Sequence, residues 1–469
     1  MKGALSRLAF PALLSGCMMS GGHGIHGDLP PLPPLIQPEP AGALPAPPTA
    51  RDENADPAIV EINLTAAPAT VAYLDGRPAS AWAYNRSVPG PTIEAHKGDE
   101  IIVHFTNDLA EPTTIHWHGL RVPNDMDGAG RLTQPIPPGG RFDYRFVVPD
   151  AGLFWYHPHV RSDVQVEKGL YGAIVVRDPQ EPALDAAVER VLVLDDVLVD
   201  PASGAVEDQL DMRGMMMGRE GNLLLVNGQP SNREIAVAPG ARTRLRLVNT
   251  ATARFFSLPL DGGTMVQIGT DGGLLSAAGA RSSILLVPGE RADVLVETTS
   301  GATLRSVGYE RAMGAGAGPA ADLVRFVTSG AAATPRLLPA ALRAIDVLGP
   351  TGHVGTSRLG ERMAHHAWLF TINDHTFPDV PPVVASLGTK ASWTITNESE
   401  MDHPFHLHGF FFQRRGVPEW EDTIDVPAGT SVEIVVDLAS RPGAAGDWMY
   451  HCHILEHAER GMMGTLTLQ

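Results

Sequence analysis

Trp393-Thr394-Ile395-Thr396-Asn397 alternates apolar and polar side chains and stops on asparagine, a pattern echoed at Val103-His104-Phe105-Thr106-Asn107 and Leu245-Arg246-Leu247-Val248-Asn249. Such alternation marks a half-buried strand. Another asparagine precedes each run, Asn85, Asn227 or Asn373, at offsets of 107 − 85 = 22, 249 − 227 = 22 and 397 − 373 = 24 residues. A turn and a further alternating strand follow each one, opening at Pro138-Gly139-Gly140-Arg141, Pro288-Gly289-Glu290-Arg291 and Pro427-Ala428-Gly429-Thr430. The starts lie 227 − 85 = 142 and 373 − 227 = 146 residues apart, the size of a domain rather than of a solenoid repeat. The chain therefore reads as three homologous all-β domains, each a Greek-key sandwich or barrel. Ala-, Pro- and Gly-rich stretches at 178–187 and 330–360 divide it into 58–180, 181–335 and 336–469.

Composition agrees and narrows the function. Glycine and proline make 49 + 40 = 89 of 469 residues, which favours short strands and turns over helices. Lys plus Arg is 35 against 53 Asp plus Glu, a formal charge of −18; that sign disfavours nucleic acid as a partner. Two cysteines, Cys17 and Cys452, cannot staple a chain of this size. At the N-terminus, Lys2, Arg7 and a short apolar run from Leu8 to Leu14 resemble an export signal too short to span a bilayer. Leu14-Ser15-Gly16-Cys17 looks like a lipobox, so the expectation is an exported protein, periplasmic or membrane-anchored through lipidated Cys17, otherwise secreted. Proline-rich residues 18–57 read as a semi-rigid tether lifting the body off a membrane.

Of the 18 histidines, ten fall in four tight clusters. Nine and eleven residues beyond Asn107 stand His116 and His118, and the same steps beyond Asn397 reach His406 and His408. Beyond Asn249 they reach Leu258 and Leu260, so the middle domain reads as a spacer between two ligand-bearing ones. His157-Pro158-His159 and His451-Cys452-His453 form a second matching pair. Residues two apart on a strand face one side, so each pair offers two imidazoles to one region. Eight exceed what a tetrahedral zinc accepts, which argues for several redox-active coppers. Cys452 faces the opposite side, where His403, Cys452, His457 and Met462 make the ligand set of a blue-copper centre. His23, His26, His365 and His366, outside the clusters, are assigned no metal.

Over residues 58–469, His116-Trp117-His118-Gly119, His157-Pro158-His159, His403-Pro404-Phe405-His406-Leu407-His408-Gly409 and His451 to His457 with Met462 resemble the multicopper oxidases, in particular their bacterial laccase and cuprous-oxidase branch. The resemblance implies three consecutive cupredoxin-like domains and four copper ions. His403, Cys452 and His457 would bind the type 1 copper with Met462 axial, and His116 and His406 the type 2. The type 3 pair would use His118, His157 and His453 on one ion and His159, His408 and His451 on the other. Asp127 matches the acidic residue that the family places beside type 2 for proton delivery. One departure stands out: Ala458 replaces the glutamate that many bacterial relatives use as proton donor, and Glu459 is displaced by one residue.

The implied reaction is one-electron oxidation of a small reductant coupled to reduction of dioxygen to water, in a monomer. Phenols and aromatic amines, as in a laccase, are the first expectation and cuprous or other metal ions the alternative. Met212, Met215, Met216 and Met217, read as a Gly-flanked loop, offer soft ligands or a mobile apolar lid. Glu400, Asp402 and Asp422 are candidate carboxylates at the type 1 edge. A non-catalytic scaffold would have shed ligands, whereas the set here is complete. The third repeat excludes a two-domain nitrite reductase.

Overall fold

The computed structural model describes residues 30–207, 210–312, 317–364 and 367–469. The leader with Cys17, the start of the tether, His23, His26, His365 and His366 lie outside them. Among the described residues are thirty strands and three α-helices of four to six residues, so the all-β expectation holds. Each of the three parts is a pair of facing sheets.

The first part layers Arg77–Tyr84, Ile59–Leu74, Glu100–Asn107 and Arg141–Val147 against Gly90–His96, Gly172–Arg177, Gly152–His157 and His116–His118. The last repeats that order with Ala367–Ile372, Gly352–Ala364, Thr389–Asn397, Ser431–Leu438 and Phe412–Arg414 in one sheet. Its second sheet holds Val383–Ala385, Met463–Leu468, Gly446–Cys452, His403–Leu407 and Thr423–Val426. The middle part carries seven- and five-stranded sheets.

The repeated asparagines have a common task. Asn85, Asn227 and Asn373 all adopt left-handed backbone, with φ of 50°, 53° and 52°, which asparagine tolerates better than most residues. Each side-chain oxygen accepts the amide of a residue in the neighbouring strand, Thr65, Val193 or Arg358. The second set is buried. Asn107 Nδ2 donates to the carbonyls of Glu111 and Ile136, Asn249 Nδ2 to Arg254 and Leu286, and Asn397 Nδ2 to Met401 and Val426. In each part the amide thus clips the loop four or five residues ahead to the strand across the sandwich. That fixes where the next strand begins, and hence the constant offset to the paired histidines.

One expectation is corrected. Residues 30–57 are not a free tether but a strap along the body. Ile36 donates to Asn222 O, Leu44 to Glu234 O and Ala50 to Thr92 O, while Asn227 and Asn232 donate to the carbonyls of Pro45 and Pro38. Proline lacks only its own N–H; its carbonyl and its neighbours' amides still pair with exposed strand edges.

On the first sheet His104 sits between Asp143, 2.8 Å from Nδ1, and Glu61, 2.9 Å from Nε2. The Glu61 and Asp143 hydrogen bonds raise its pKa. Folding therefore binds this proton more tightly than the unfolded chain does, so the stabilisation is full below the unfolded value and fades as pH rises through the folded one. Replacing His104 by Gln should remove the part of the denaturation-midpoint difference between about pH 6 and pH 8 that this imidazole contributes. An unchanged difference would refute the assignment.

Candidate metal centres

Strand pairing brings the histidine motifs together. His116–His118 lies antiparallel to Gly152–His157 with His116 opposite His157, and His403–Leu407 lies against Gly446–Cys452 with His406 opposite His451. The two edges then meet across the molecule. His118 Nδ1 is 3.2 Å from His453 Nε2, His159 Nε2 is 3.3 Å from His451 Nε2, and His408 Nε2 is 3.1 Å from His451 Nε2. His116 stacks on His408 and His118 on His406, each with centroids 3.8 Å apart. All eight imidazoles are buried.

The outward nitrogens are spoken for. His116 Nδ1–H donates to Asp127 O, His406 Nδ1–H to Asp422 O, His157 Nδ1–H to Pro158 O and His451 Nδ1–H to Cys452 O. His408 Nδ1–H donates to the Asp127 carboxylate at 2.8 Å, and His118 Nε2–H to Thr423 Oγ1 at 3.2 Å. A neutral imidazole has one N–H, so the inward nitrogens present lone pairs. In His408 and His451 these lone pairs face each other at 3.1 Å, which is repulsive without a cation between them. His116 Nε2, His157 Nε2 and His406 Nε2 are buried with no hydrogen-bond partner, an arrangement that native proteins avoid unless an ion is bound. The residues fit a metal cluster.

Cys452 points the other way. Its Sγ lies 3.5 Å from His403 Nδ1 and 3.8 Å from His457 Nδ1, and those nitrogens are 3.3 Å apart. The Nε2–H of His403 donates to Ser399 Oγ and that of His457 to Met216 O, both at 2.9 Å, leaving both Nδ1 lone pairs facing the sulfur. Burial pushes the thiol pKa up, so a bound cation is what makes the thiolate accessible. Met462 is buried in the same apolar cluster, and its carbonyl accepts the Cys452 amide at 3.1 Å. Ser399, His403 and His457 with their outward bonds show the orientation that metal-binding imidazoles require.

Other expectations shift. The methionines form the helix Met212–Met217, capped by Asp211, whose carboxylate accepts the Gly214 amide. It is docked rather than loose: Met216 and Met217 are buried in the apolar cluster that also holds Cys452 and Met462, while Met212 and Met215 are 58% and 37% exposed. Asp422 is not at the cysteine site; its carboxylate lies 3.3 Å from His118 Nε2 and 3.5 Å from His406 Nδ1, because the strand Thr423–Val426 pairs with the histidine strand. Asp402 accepts the Tyr309 hydroxyl and the Ala428 amide, and Glu400 donates its amide to Glu361. Glu459 ends the helix Leu455–Glu459, where its carboxylate accepts Ser162 N and Oγ and pairs with Arg131, so both of its oxygens are engaged. Thr423, Ser399 and Arg291 carried no sequence signal. Arg291 even aligns with Arg141, which is exposed.

Three facing-sheet units, with a buried imidazole cluster at the junction of the first and third and a Cys–His–His set beside it, define a copper-binding redox protein. Models described as multicopper oxidase match residues 65–181, 189–304 and 356–469. The multicopper oxidase MmcO of Mycobacterium tuberculosis is 32% identical over 448 residues, 86% of each chain. Laccase-2 of Cryptococcus neoformans is 28% identical over 504 residues, covering 87% of this chain and 83% of that protein. Among solved structures, a multicopper oxidase from Campylobacter jejuni, described as a metallo-oxidase, superposes with a TM-score of 0.82 at 28% identity, covering 92% of this chain and 96% of that one. The chain belongs to the multicopper oxidase family, oxidoreductases that use oxygen as acceptor, and its three units are cupredoxin-like.

Proposed function

We propose that this chain takes electrons singly from a small donor and delivers them to dioxygen, which is reduced to water, using four copper ions. His403, Cys452 and His457, with Met462, would hold the type 1 ion, and His116 and His406 the type 2. His118, His157 and His453 hold one type 3 ion, and His159, His408 and His451 the other. Copper supplies the one-electron and dioxygen chemistry that no side chain offers. The observation that carries the reading is the facing of imidazole lone pairs at 3.1–3.3 Å in both places. Cys452 is bonded on either side to His451 and His453, so an electron leaving the sulfur crosses only covalent backbone to reach the cluster. Asp127, buried against His116 and His408, is the carboxylate positioned to relay protons there.

For the donor, phenols and metal ions make opposite demands. A phenol ring needs an accessible histidine edge, yet His403 and His457 are fully buried and their outer nitrogens are closed by Ser399 and the Met216 carbonyl. A cuprous ion needs soft ligands near that edge, and the helix that closes it leaves Met212 and Met215 exposed. The geometry supports the metal-ion donor better than the phenol. Replacing all four methionines by leucine keeps apolar volume and should lower cuprous turnover about tenfold or more, ~1.4 kcal/mol of barrier, with phenol turnover unchanged or raised. Phenol turnover that is faster in the parent, with neither rate altered by the variant, would reverse the order.

We further propose an exported monomer anchored through lipidated Cys17. Intact mass of the mature N-terminus, membrane partition of Cys17→Ser and size-exclusion mass test these points.

A further inference from the structure

The middle unit has no imidazole in the cluster, yet two of its side chains reach the residues around it: the Asp271 carboxylate accepts the amides of Asp422 and Thr423, and Arg291 grips the Asp422 side chain. Arg291, fully buried, places all five guanidinium hydrogens. Nε donates to Leu153 O of the first unit at 3.1 Å. Nη1 donates to Gly289 O at 3.1 Å and Asp422 Oδ1 at 2.7 Å, and Nη2 to Asp271 O at 3.2 Å and Asp422 Oδ2 at 2.5 Å. One planar fork thus contacts all three units, and its two-pronged grip on Asp422 leaves that carboxylate no freedom to rotate.

Asp422 and its neighbour Thr423 act next. Thr423 Oγ1 donates to Asp422 Oδ1 at 2.9 Å, so the hydroxyl accepts from His118 Nε2–H at 3.2 Å and, at 3.0 Å, shares with the Asp422 carbonyl the single Nδ1–H of His406. These two stacked rings, 10° from parallel, come from the third and first units. The shared acceptor takes the Nδ1 proton of one and the Nε2 proton of the other. His406 therefore turns Nε2 inward and His118 turns Nδ1 inward. The space around the fork is also reserved: Gly119, the glycine after the His-Trp-His run, has φ +86°, and a Cβ there would overlap Arg291 Nη2.

We infer that Arg291 is a positioning residue of the oxygen-reducing site: by clamping Asp422 it fixes the Thr423 hydroxyl that selects the inward nitrogen of His118 and supports that of His406, so the ligand-free middle unit controls the geometry of a cluster built by the other two. The inference rests on the copper assignment proposed above. It needs no change of protonation at Asp422, only its fixed orientation.

The test uses full-length, copper-loaded protein and the variants Arg291→Met, Arg291→Lys, Asp422→Asn and Arg291→Met/Asp422→Asn. Copper retained against a chelator, the type 2 electron paramagnetic resonance signal and the thiolate–copper band at roughly 600 nm are read together. Arg291→Met should weaken copper retention about 10–100-fold, as loss of an outer partner does, and alter the type 2 signal, while the thiolate band stays. Arg291→Lys, which keeps charge but loses the fork, should fall between. The double variant should be no worse than Asp422→Asn alone, since the arginine acts through the aspartate. Wild-type copper retention and signal in Arg291→Met would overturn the inference. So would losses that add in the double variant, which would make Arg291 mere glue between units. Should Arg291→Met lose the thiolate band through misfolding, Arg291→Lys is read by the same criteria. Failure of the copper assignment looks different: the unmutated protein would itself lack the band.

Discussion

Cys452→Ser should abolish the thiolate–copper band and lower oxidase turnover about a thousandfold, ~4 kcal/mol of barrier, while the imidazole cluster keeps its metal. The substitution is small. Serine fills nearly the same volume, and its hydroxyl in the apolar pocket costs about 1–3 kcal/mol, which a large chain tolerates. The chemistry is another matter, because a hydroxyl gives up neither a soft ligand for the pocket of His403 and His457 nor the sulfur route to His451 and His453. Absorbance, copper content and oxygen uptake on one sample separate the effects. Turnover above about a tenth of the parent would mean that electrons reach the cluster without passing through residue 452, and the proposed route would fall.

Gly128→Ala is expected to be nearly as damaging, although residue 128 touches no metal ligand with its own side chain. Its φ is +68°, and a Cβ would overlap the backbone oxygen and carbon of Ile115, immediately before His116. Left-handed strain costs about 1–3 kcal/mol and forced overpacking about 1–3 kcal/mol more; relief requires moving either the strand that holds His116 or the loop that holds Asp127. A drop in the urea midpoint worth about 4 kcal/mol, with loss of the type 2 signal, is the anticipated result. Gly139→Ala is the control, since φ is +72° there but nothing lies within 4 Å of the added carbon. Equal losses at both positions would show that only backbone strain matters and that the Asp127 loop is not coupled to His116.

Much of the site was legible in one dimension because its rules are local. Alternation announces a strand, two-residue spacing puts paired imidazoles on one face, and an asparagine that clips the loop ahead of it holds the distance to His116 and His406 at nine residues. Those regularities survive in a bare string because each depends on neighbours a few positions away. Cys452 facing away from His451 and His453 follows from the same pleat.

The rest depended on partners far apart in the chain. The methionines read as a loose loop because six residues carry too weak a helical period; docking on His457 is what orders them. Proline-rich residues 30–57 read as a tether because their composition cannot announce which strand edges will accept their hydrogen bonds. Sequence places Asp422 at the cysteine site, whereas sheet pairing sets the strand that follows it against His403–His406 and so brings its carboxylate to the imidazole cluster.

Sequence alone determined the three sandwiches, the histidine clusters and the side of the strand each paired imidazole faces, since pleating and turn chemistry act over a handful of residues. Tertiary structure alone decided which nitrogen His118 and His408 turn inward, that the Met216 carbonyl closes the cysteine site and how Arg291 ties three units to one carboxylate. Those outcomes are hydrogen bonds between residues more than a hundred positions apart, and only packing selects such partners.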